Sequence, residues 1–217
     1  ELIDDYVLVA DEVEAGRLYN KGNYGYPQKG GSLQLDLIEA VYLVERGRLT
    51  VLSKGREMPF DRLFRHASLN IGNFDIRYIV YRNLRAERAR LVKLESGEYD
   101  LSVFPVGMRM SNSRPEYMVR AVSERTEIDI ADFSREISRA ENKGKKLLYA
   151  VVDEEGDVTY YEMTTEDPSG GVFAESDFPV QGTLIEDRVM VFDLGVGERL
   201  YRDGVFGKSI GVAFQLS

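Results

Sequence analysis

The opening of the chain recurs, in altered form, near its end. Residues 1–30 read ELIDDYVLVADEVEAGRLYNKGNYGYPQKG, and residues 183–212 read TLIEDRVMVFDLGVGERLYRDGVFGKSIGV. The two stretches align without a gap. Arg17-Leu18-Tyr19 meets Arg199-Leu200-Tyr201, and Gly22 and Gly25 meet Gly204 and Gly207. One deleted residue then sets Leu33-Gln34-Leu35-Asp36 against Phe214-Gln215-Leu216-Ser217. A repeat of this kind marks a duplicated structural unit. The second copy stops at Ser217, where the first copy enters its first long helix. The chain therefore reads as one full unit plus the opening of a second.

Hydrophobic periodicity orders the rest. Residues 6–10 form an apolar β-type run, residues 12–21 a helix ending at Gly22, and residues 33–35 a short strand. Asp36 is a good N-cap for a helix over residues 37–46, with Leu37, Ala40, Val41, Leu43 and Val44 on one side. Residues 49–52 read as a strand. Pro59 opens a second helix at about its first turn, and residues 74–86 form a third, with Ile76, Ile79, Val80 and Leu84 inward. Near Arg90 the period changes. β-type runs cover residues 89–94, 99–104, 116–122, 146–152 and 158–163, interrupted by one helix over residues 129–142. The pattern predicts an α+β chain. A mainly helical N-terminal domain occupies residues 1–88, and a small α+β domain with a mixed sheet occupies residues 89–163. Residues 164–182 are a linker rich in Asp, Pro, Ser and Gly, and residues 183–217 start the second repeat.

Composition excludes several chemistries. With no cysteine, disulfides and thiolate metal sites are impossible, and the lone His66 cannot build a multi-histidine site. No apolar run approaches the roughly 18 residues of a membrane span. The acidic start, Glu1-Leu2-Ile3-Asp4-Asp5, lacks the basic opening of a signal peptide. A cytoplasmic protein is expected. The net charge of −9 argues against nucleic-acid binding over the whole surface, because such affinity rests on neutralising phosphates. A local basic face can coexist with it, and an acidic patch can serve a basic partner.

Several segments, in this order and spacing, resemble one family. They are Leu18-Tyr19-Asn20-Lys21-Gly22-Asn23-Tyr24-Gly25, then Leu33-Gln34-Leu35, then residues 39–47, EAVYLVERG. Residues 74–85, FDIRYIVYRNLR, and residues 150–161, AVVDEEGDVTYY, continue the likeness. Together they are similar to archaeal-type tRNA-splicing endonucleases. The resemblance implies removal of introns from pre-tRNA at bulge–helix–bulge motifs. It also implies ribonuclease-A-like chemistry without metal or other cofactor, leaving 2′,3′-cyclic phosphate and 5′-OH ends. Such chemistry needs a base for the 2′-OH, an acid for the leaving 5′-oxygen and a cation for the phosphate. The family is understood to use tyrosine, histidine and lysine.

Carried over residue by residue, the tyrosine falls at Phe104, before Pro105, and the histidine at Arg114, before Glu116-Tyr117-Met118-Val119. A phenyl ring has no proton to exchange, and a guanidinium stays protonated. The lysine is retained at Lys145; Lys145 and Lys146 read equally as the solvated start of a strand. A family arginine that helps clamp a bulge base falls at Ser138, with Arg139 next to it. This pattern resembles the non-catalytic first repeat of two-repeat members. The resemblance also gives the turn Asp153-Glu154-Glu155-Gly156-Asp157 an assembly role, as an acidic loop entering a basic pocket of a neighbouring unit. Without it, the turn reads as an ordinary solvated hairpin. The expected protein is the assembly-forming part of a homo- or hetero-oligomer whose catalytic repeat or chain acts on pre-tRNA. The alternative is a non-enzymatic RNA-binding or assembly protein sharing the fold.

Overall fold

A computed structural model describes residues 1–95, 97–108, 113–166, 179–204 and 207–216. The predicted linker falls mostly on residues outside these ranges. The chain divides into two compact units, Glu1–Thr165 and Glu166–Ser217. Among the described residues, no helix is long and apolar enough to cross a membrane.

The first unit opens with β1 (Leu2–Ile3), β2 (Tyr6–Val9), α1 (Glu12–Gly22), β3 (Tyr26–Pro27) and β4 (Leu33–Asp36). The four strands form one antiparallel sheet in the order β1-β2-β4-β3. Asp11 caps α1 by accepting from the Glu14 N–H at 2.8 Å. The helix ends on Asn23, which takes a left-handed conformation at φ 52°.

Next comes α2 (Leu37–Glu45), and here the one-sided pattern expected from the sequence is corrected. Leu37 through Leu43 are all buried, Glu39 among them. The reason is position: α2 packs on β2 and β4 and also against α3 (Phe60–Asn70) and α4 (Phe74–Arg82). Leu37, Ile38 and Leu43 are each fully covered, and each such side chain contributes roughly 1.5–3 kcal/mol by burial. A short hairpin, β5 (Val51–Ser53) with β6 (Arg56–Met58), leads into α3. The strand predicted over residues 49–52 thus begins two residues late.

The helix expected to reach Ala86 changes character after Arg82. Residues Asn83–Glu87 form a π turn, in which the Arg88 N–H reaches back to the Asn83 carbonyl at 3.1 Å. The Asn83 side chain accounts for the change. Its Oδ1 accepts from the Tyr160 hydroxyl at 2.8 Å and from Arg88 Nε at 3.2 Å.

A five-stranded mixed sheet follows, built from β7 (Val92–Leu94), β8 (Leu101–Val103), β9 (Tyr117–Ser123), β10 (Lys146–Val152) and β11 (Val158–Met163). The order is β11-β10-β9-β8-β7. Only β9 and β10 run parallel, and α5 (Ile130–Asn142) makes the crossover between them. Strand alternation sorts the faces. Leu148, Ala150 and Val152 join the core that contains α2 and α4, while Leu147 and Tyr149 join Ile137 and Ala140 of α5. An ionic chain links these layers. Arg77 Nε lies 3.2 Å from Asp100, Arg120 lies 3.8 Å from Asp100 and 3.4 Å from Glu136, and the Tyr149 hydroxyl donates to Glu136 at 2.6 Å.

The second unit contains β12 (Thr183–Ile185), β13 (Arg188–Val191), α6 (Leu194–Gly204), β14 (Lys208–Ser209) and β15 (Phe214–Leu216). Its sheet order, β12-β13-β15-β14, is that of β1-β2-β4-β3. The registers match too: Leu2 faces Val7 as Leu184 faces Val189, and Val9 faces Leu33 as Val191 faces Phe214. Asp193 caps α6 through the Val196 N–H at 3.1 Å, as Asp11 caps α1. No described residue of this unit supplies a counterpart of α2.

Gly25 and Gly207 share a left-handed conformation, at φ 68° and 83°. A Cβ on Gly25 would stand 2.5 Å from the Gln34 carbonyl oxygen and 2.9 Å from Leu33 and Leu35. A Cβ on Gly47, at φ 60°, would meet nothing within 4 Å. Gly47→Ala therefore costs only the backbone strain, about 1 kcal/mol, whereas Gly25→Ala adds a collision and costs roughly 3 kcal/mol. Urea unfolding followed by circular dichroism checks this. Equal midpoints for the two variants would show that the close approach at Gly25 carries no energy.

Candidate functional site

Three strand ends come together at one edge of the mixed sheet. Because β8 and β9 are antiparallel and β9 and β10 parallel, the end of β8 lies beside the starts of β9 and β10. Phe104 follows β8, Arg114 precedes β9 by three residues, and Lys145 immediately precedes β10. The backbone binds these ends directly. The Glu116 N–H donates to the Val103 carbonyl at 2.8 Å, and the Lys146 N–H to the Glu116 carbonyl at 3.2 Å. Topology thus gathers the three positions singled out in the sequence.

Their side chains differ in what they offer. Phe104 is buried, and its N–H donates to the Leu91 carbonyl at 3.0 Å. Arg114 is exposed. Lys145 is half-buried, with Nζ donating to the Pro115 carbonyl at 2.7 Å. The last contact holds a positive charge beside the segment that carries Arg114. The two cations can attract phosphate, whereas the phenyl ring has no proton to give or take.

Phe104 also lines a pocket of about 230 Å³ with Tyr19, Asn23, Tyr26, Glu39 and Lys93. Tyr26 donates its hydroxyl to the Leu94 carbonyl at 3.1 Å, and Lys93 Nζ sits 5.1 Å from the Tyr26 ring centroid. Burial pushes the Tyr26 phenol up to about 12. Glu39 is buried, 4% exposed, at the floor of this pocket. Its two oxygens accept from the Gly25 N–H at 3.1 Å each, and one accepts from the Asp36 N–H at 3.3 Å. Desolvation nevertheless pushes its carboxyl up to about 7, with Asp36 adding to the rise and the Gly25 N–H and Arg85 opposing it. A larger cavity, about 620 Å³, lies among Asp5, Asp36, Glu95 and Asp100. Four carboxylates against Arg77 and Lys93 make that cavity a poor host for phosphate.

The acidic turn is a tight loop between β10 and β11. The Gly156 N–H donates to the Asp153 carbonyl at 3.2 Å, the Asp157 N–H to Asp153 Oδ1 at 2.8 Å, and Gly156 has φ 85°. Glu154, Glu155 and Asp157 are exposed, and Glu154 pairs with Arg125. β11 is an edge of the sheet, so one side of its backbone is unpaired among the described residues. Ser138 and Arg139 lie on α5, Ser138 bonding the Ser134 carbonyl at 2.9 Å and Arg139 pairing with Glu98. His66 is on α3, its Nε2 2.7 Å from the Asp4 carbonyl oxygen.

The family model for the N-terminal domain of tRNA intron endonuclease matches residues 1–64, and that for its catalytic C-terminal domain matches residues 74–160. The tRNA-splicing endonuclease of Pyrococcus abyssi is 35% identical over 164 residues, which cover 75% of this chain and 92% of that protein. The chain belongs to the tRNA-splicing endonuclease family. The Methanococcoides burtonii tRNA-splicing endonuclease is 35% identical over 212 residues, 97% of this chain. That of Methanosarcina acetivorans is 36% identical over 213 residues, also 97% of this chain. In both cases the match spans 59% of the relative's length. For a tRNA-splicing endonuclease homologue, the catalytic-domain match is where the strand-end residues and the acidic turn all fall. Sequence reading did not single out Glu39, although Asp36-x-x-Glu39 has the spacing of a capping box. Nor did it find Tyr26 beside Lys93, because the partners are far apart in sequence and nothing local signals the contact.

Glu39 makes a pH prediction. Its folded pKa, about 7, lies above the ordinary 4.5, so its contribution to stability is full below about pH 4.5 and is lost as pH rises through 7. The loss amounts to about 3 kcal/mol. Glu39→Gln, which stays neutral, should be more stable than wild type at pH 8 and lose that advantage by pH 5. Denaturant titrations at both pH values measure the difference, and a pH-independent difference would refute the assignment.

Proposed function

We propose that this chain is the assembly-forming, non-catalytic repeat of a tRNA-splicing endonuclease. The complete enzyme excises introns from pre-tRNA at bulge–helix–bulge motifs, leaving 2′,3′-cyclic phosphate and 5′-OH ends. A second repeat or a partner chain supplies the chemistry. One observation carries this reading. At the strand ends where the reaction needs a base, an acid and a cation, the chain presents Phe104, Arg114 and Lys145. Only the cation fits its role. Residues 1–88 and 89–163 act as the N-terminal and nuclease-like domains, and residues 183–217 begin the next repeat. The matched registers of the two units and the greater length of the Methanosarcina relatives support that division.

General acid and general base each contribute about 10²–10⁴-fold to such a reaction. The purified chain is therefore expected to leave bulge–helix–bulge RNA uncut, and Phe104→Tyr alone should not rescue it, because the acid is still missing. Intron excision by the chain at a rate near that of intact family members would overturn the proposal.

Assembly rests on the β10–β11 hairpin. Its turn carries Asp153, Glu154, Glu155 and Asp157 beside an open strand edge, so a partner that pairs with β11 meets four carboxylates. Complementary charge chooses the partner and its register. Replacing the four by Asn and Gln should leave the fold intact and weaken association, and RNA cleavage by the complete enzyme should fall with it. Sedimentation of both forms at matched concentration and moderate salt tests this. An unchanged assembly state across the dissociation range would count decisively against the role.

A further inference from the structure

The pocket beside Phe104 has features that the missing chemistry does not explain. Three aromatic rings bound it: Tyr19 from α1, Tyr26 from β3, and Phe104. Tyr19 and Tyr26 are 39% and 37% exposed, so their rings are half in water. Lys93 is the single cation of the lining and Glu39, held by the Gly25 N–H, its single carboxylate; among the described residues Lys93 makes no ion pair. Asn23 completes the rim with a side-chain amide, which can both donate and accept.

The repeat supplies an independent observation. Over the eleven positions of α1 and α6, identity is confined to Arg17, Leu18, Tyr19 and Gly22 with their counterparts. Leu18 is fully buried core. Gly22 has no room for a Cβ, which would stand 2.3 Å from the Tyr24 ring. Packing and sterics thus account for those two. Tyr19 has no such reason, yet Tyr201 occupies the same place and is 52% exposed. A large ring left partly exposed twice, on helices that share only Arg17, Leu18 and Gly22 besides, points to a ligand.

We propose that the pocket takes one unstacked nucleobase of the RNA, stacked on Tyr19 and walled by Phe104, with the adjoining phosphate at Lys93. The inference rests on the RNA-processing reading above and assigns a binding site within it. Aromatic faces hold bases of any sequence, and a nearby cation answers the single charge of one nucleotide. An acidic protein loop would bring several charges to one lysine and fits less well. Without a hydroxyl, Phe104 offers the base an apolar wall in place of a reactive group. The Asn23 amide is placed to meet the edge of the base.

The test uses the whole chain and a bulged RNA with 2-aminopurine at the unpaired position. Binding should change the probe's fluorescence. Tyr19→Ala should weaken binding about five- to tenfold and abolish most of the fluorescence change. Lys93→Gln should also weaken binding and lessen its dependence on salt. Val13→Ala, at a residue 78% exposed on the same helix, should do neither. Melting curves confirm that each variant is folded. If wild type binds and both pocket variants match it in affinity and fluorescence, the pocket is overturned while the proposed function stands. If wild type binds no bulged RNA, the pocket falls, while the assembly reading is decided separately by the sedimentation test. Lost association with a partner chain at unchanged RNA affinity would give the pocket to a protein and overturn the inference.

Discussion

A helix buried on every side must satisfy its own first turn, because water cannot reach the free N–H groups there. That constraint governs the first unit. Asp36 accepts from the Ile38 N–H at 2.8 Å, and Glu39 reaches back to the Asp36 N–H at 3.3 Å. Glu39 then does more than a capping box requires, since its carboxylate also takes the Gly25 N–H. One enclosed group therefore joins the start of α2 to the turn between α1 and β3. Desolvating a carboxylate is costly, and its raised pKa records that cost. The backbone N–H groups of Gly25 and Asp36 and the nearby Arg85 offset part of it.

Arg85 extends the same centre toward the mixed sheet. It donates to the Gly22 carbonyl at 2.8 Å, and its guanidinium lies 4.1 Å from the Tyr24 ring centroid. It belongs to the π turn, which Asn83 and Tyr160 hold against β11. A continuous set of polar contacts thus runs from the α1 corner to the strand behind the acidic turn. The Asp100–Arg120–Glu136 chain does similar work farther along, joining α4, β9 and α5.

Much of this was legible in the sequence, and what was not has a common cause. The N-cap at Asp36, the α5 crossover, the apolar β10 strand and the turn at Gly156 follow from local chemistry or periodicity. The full burial of α2 does not. Tyr42 and Glu39 have side chains that ordinarily face water, and only packing from both sides places them inside. The π turn was hidden because Asn83 finds Tyr160 across 77 residues. At the candidate site, residue identity indicated which chemical groups were missing. Topology alone brought Phe104, Arg114 and Lys145 to one edge, and it placed the Phe104 ring in a pocket with residues of α1 and β3.

The repeat shows how strictly its small β-β-α-β-β motif is constrained. Ala15 and Leu33 of the first unit correspond to Gly197 and Phe214 of the second. A Cβ on Gly197 would come within 2.1 Å of the Phe214 ring, so the larger residue on the strand has required a smaller one on the helix. Interiors tolerate exchange when total volume is kept, and this pair keeps it. The left-handed glycine before the third strand is retained without exchange, because the carbonyl of Gln34 or Gln215 lies where a side chain would go. Backbone geometry leaves no compensating substitution there, whereas side-chain packing does. Surface residues are under neither restraint. The base pocket proposed above gives Tyr19 a reason of a different kind, a contact made outside the fold.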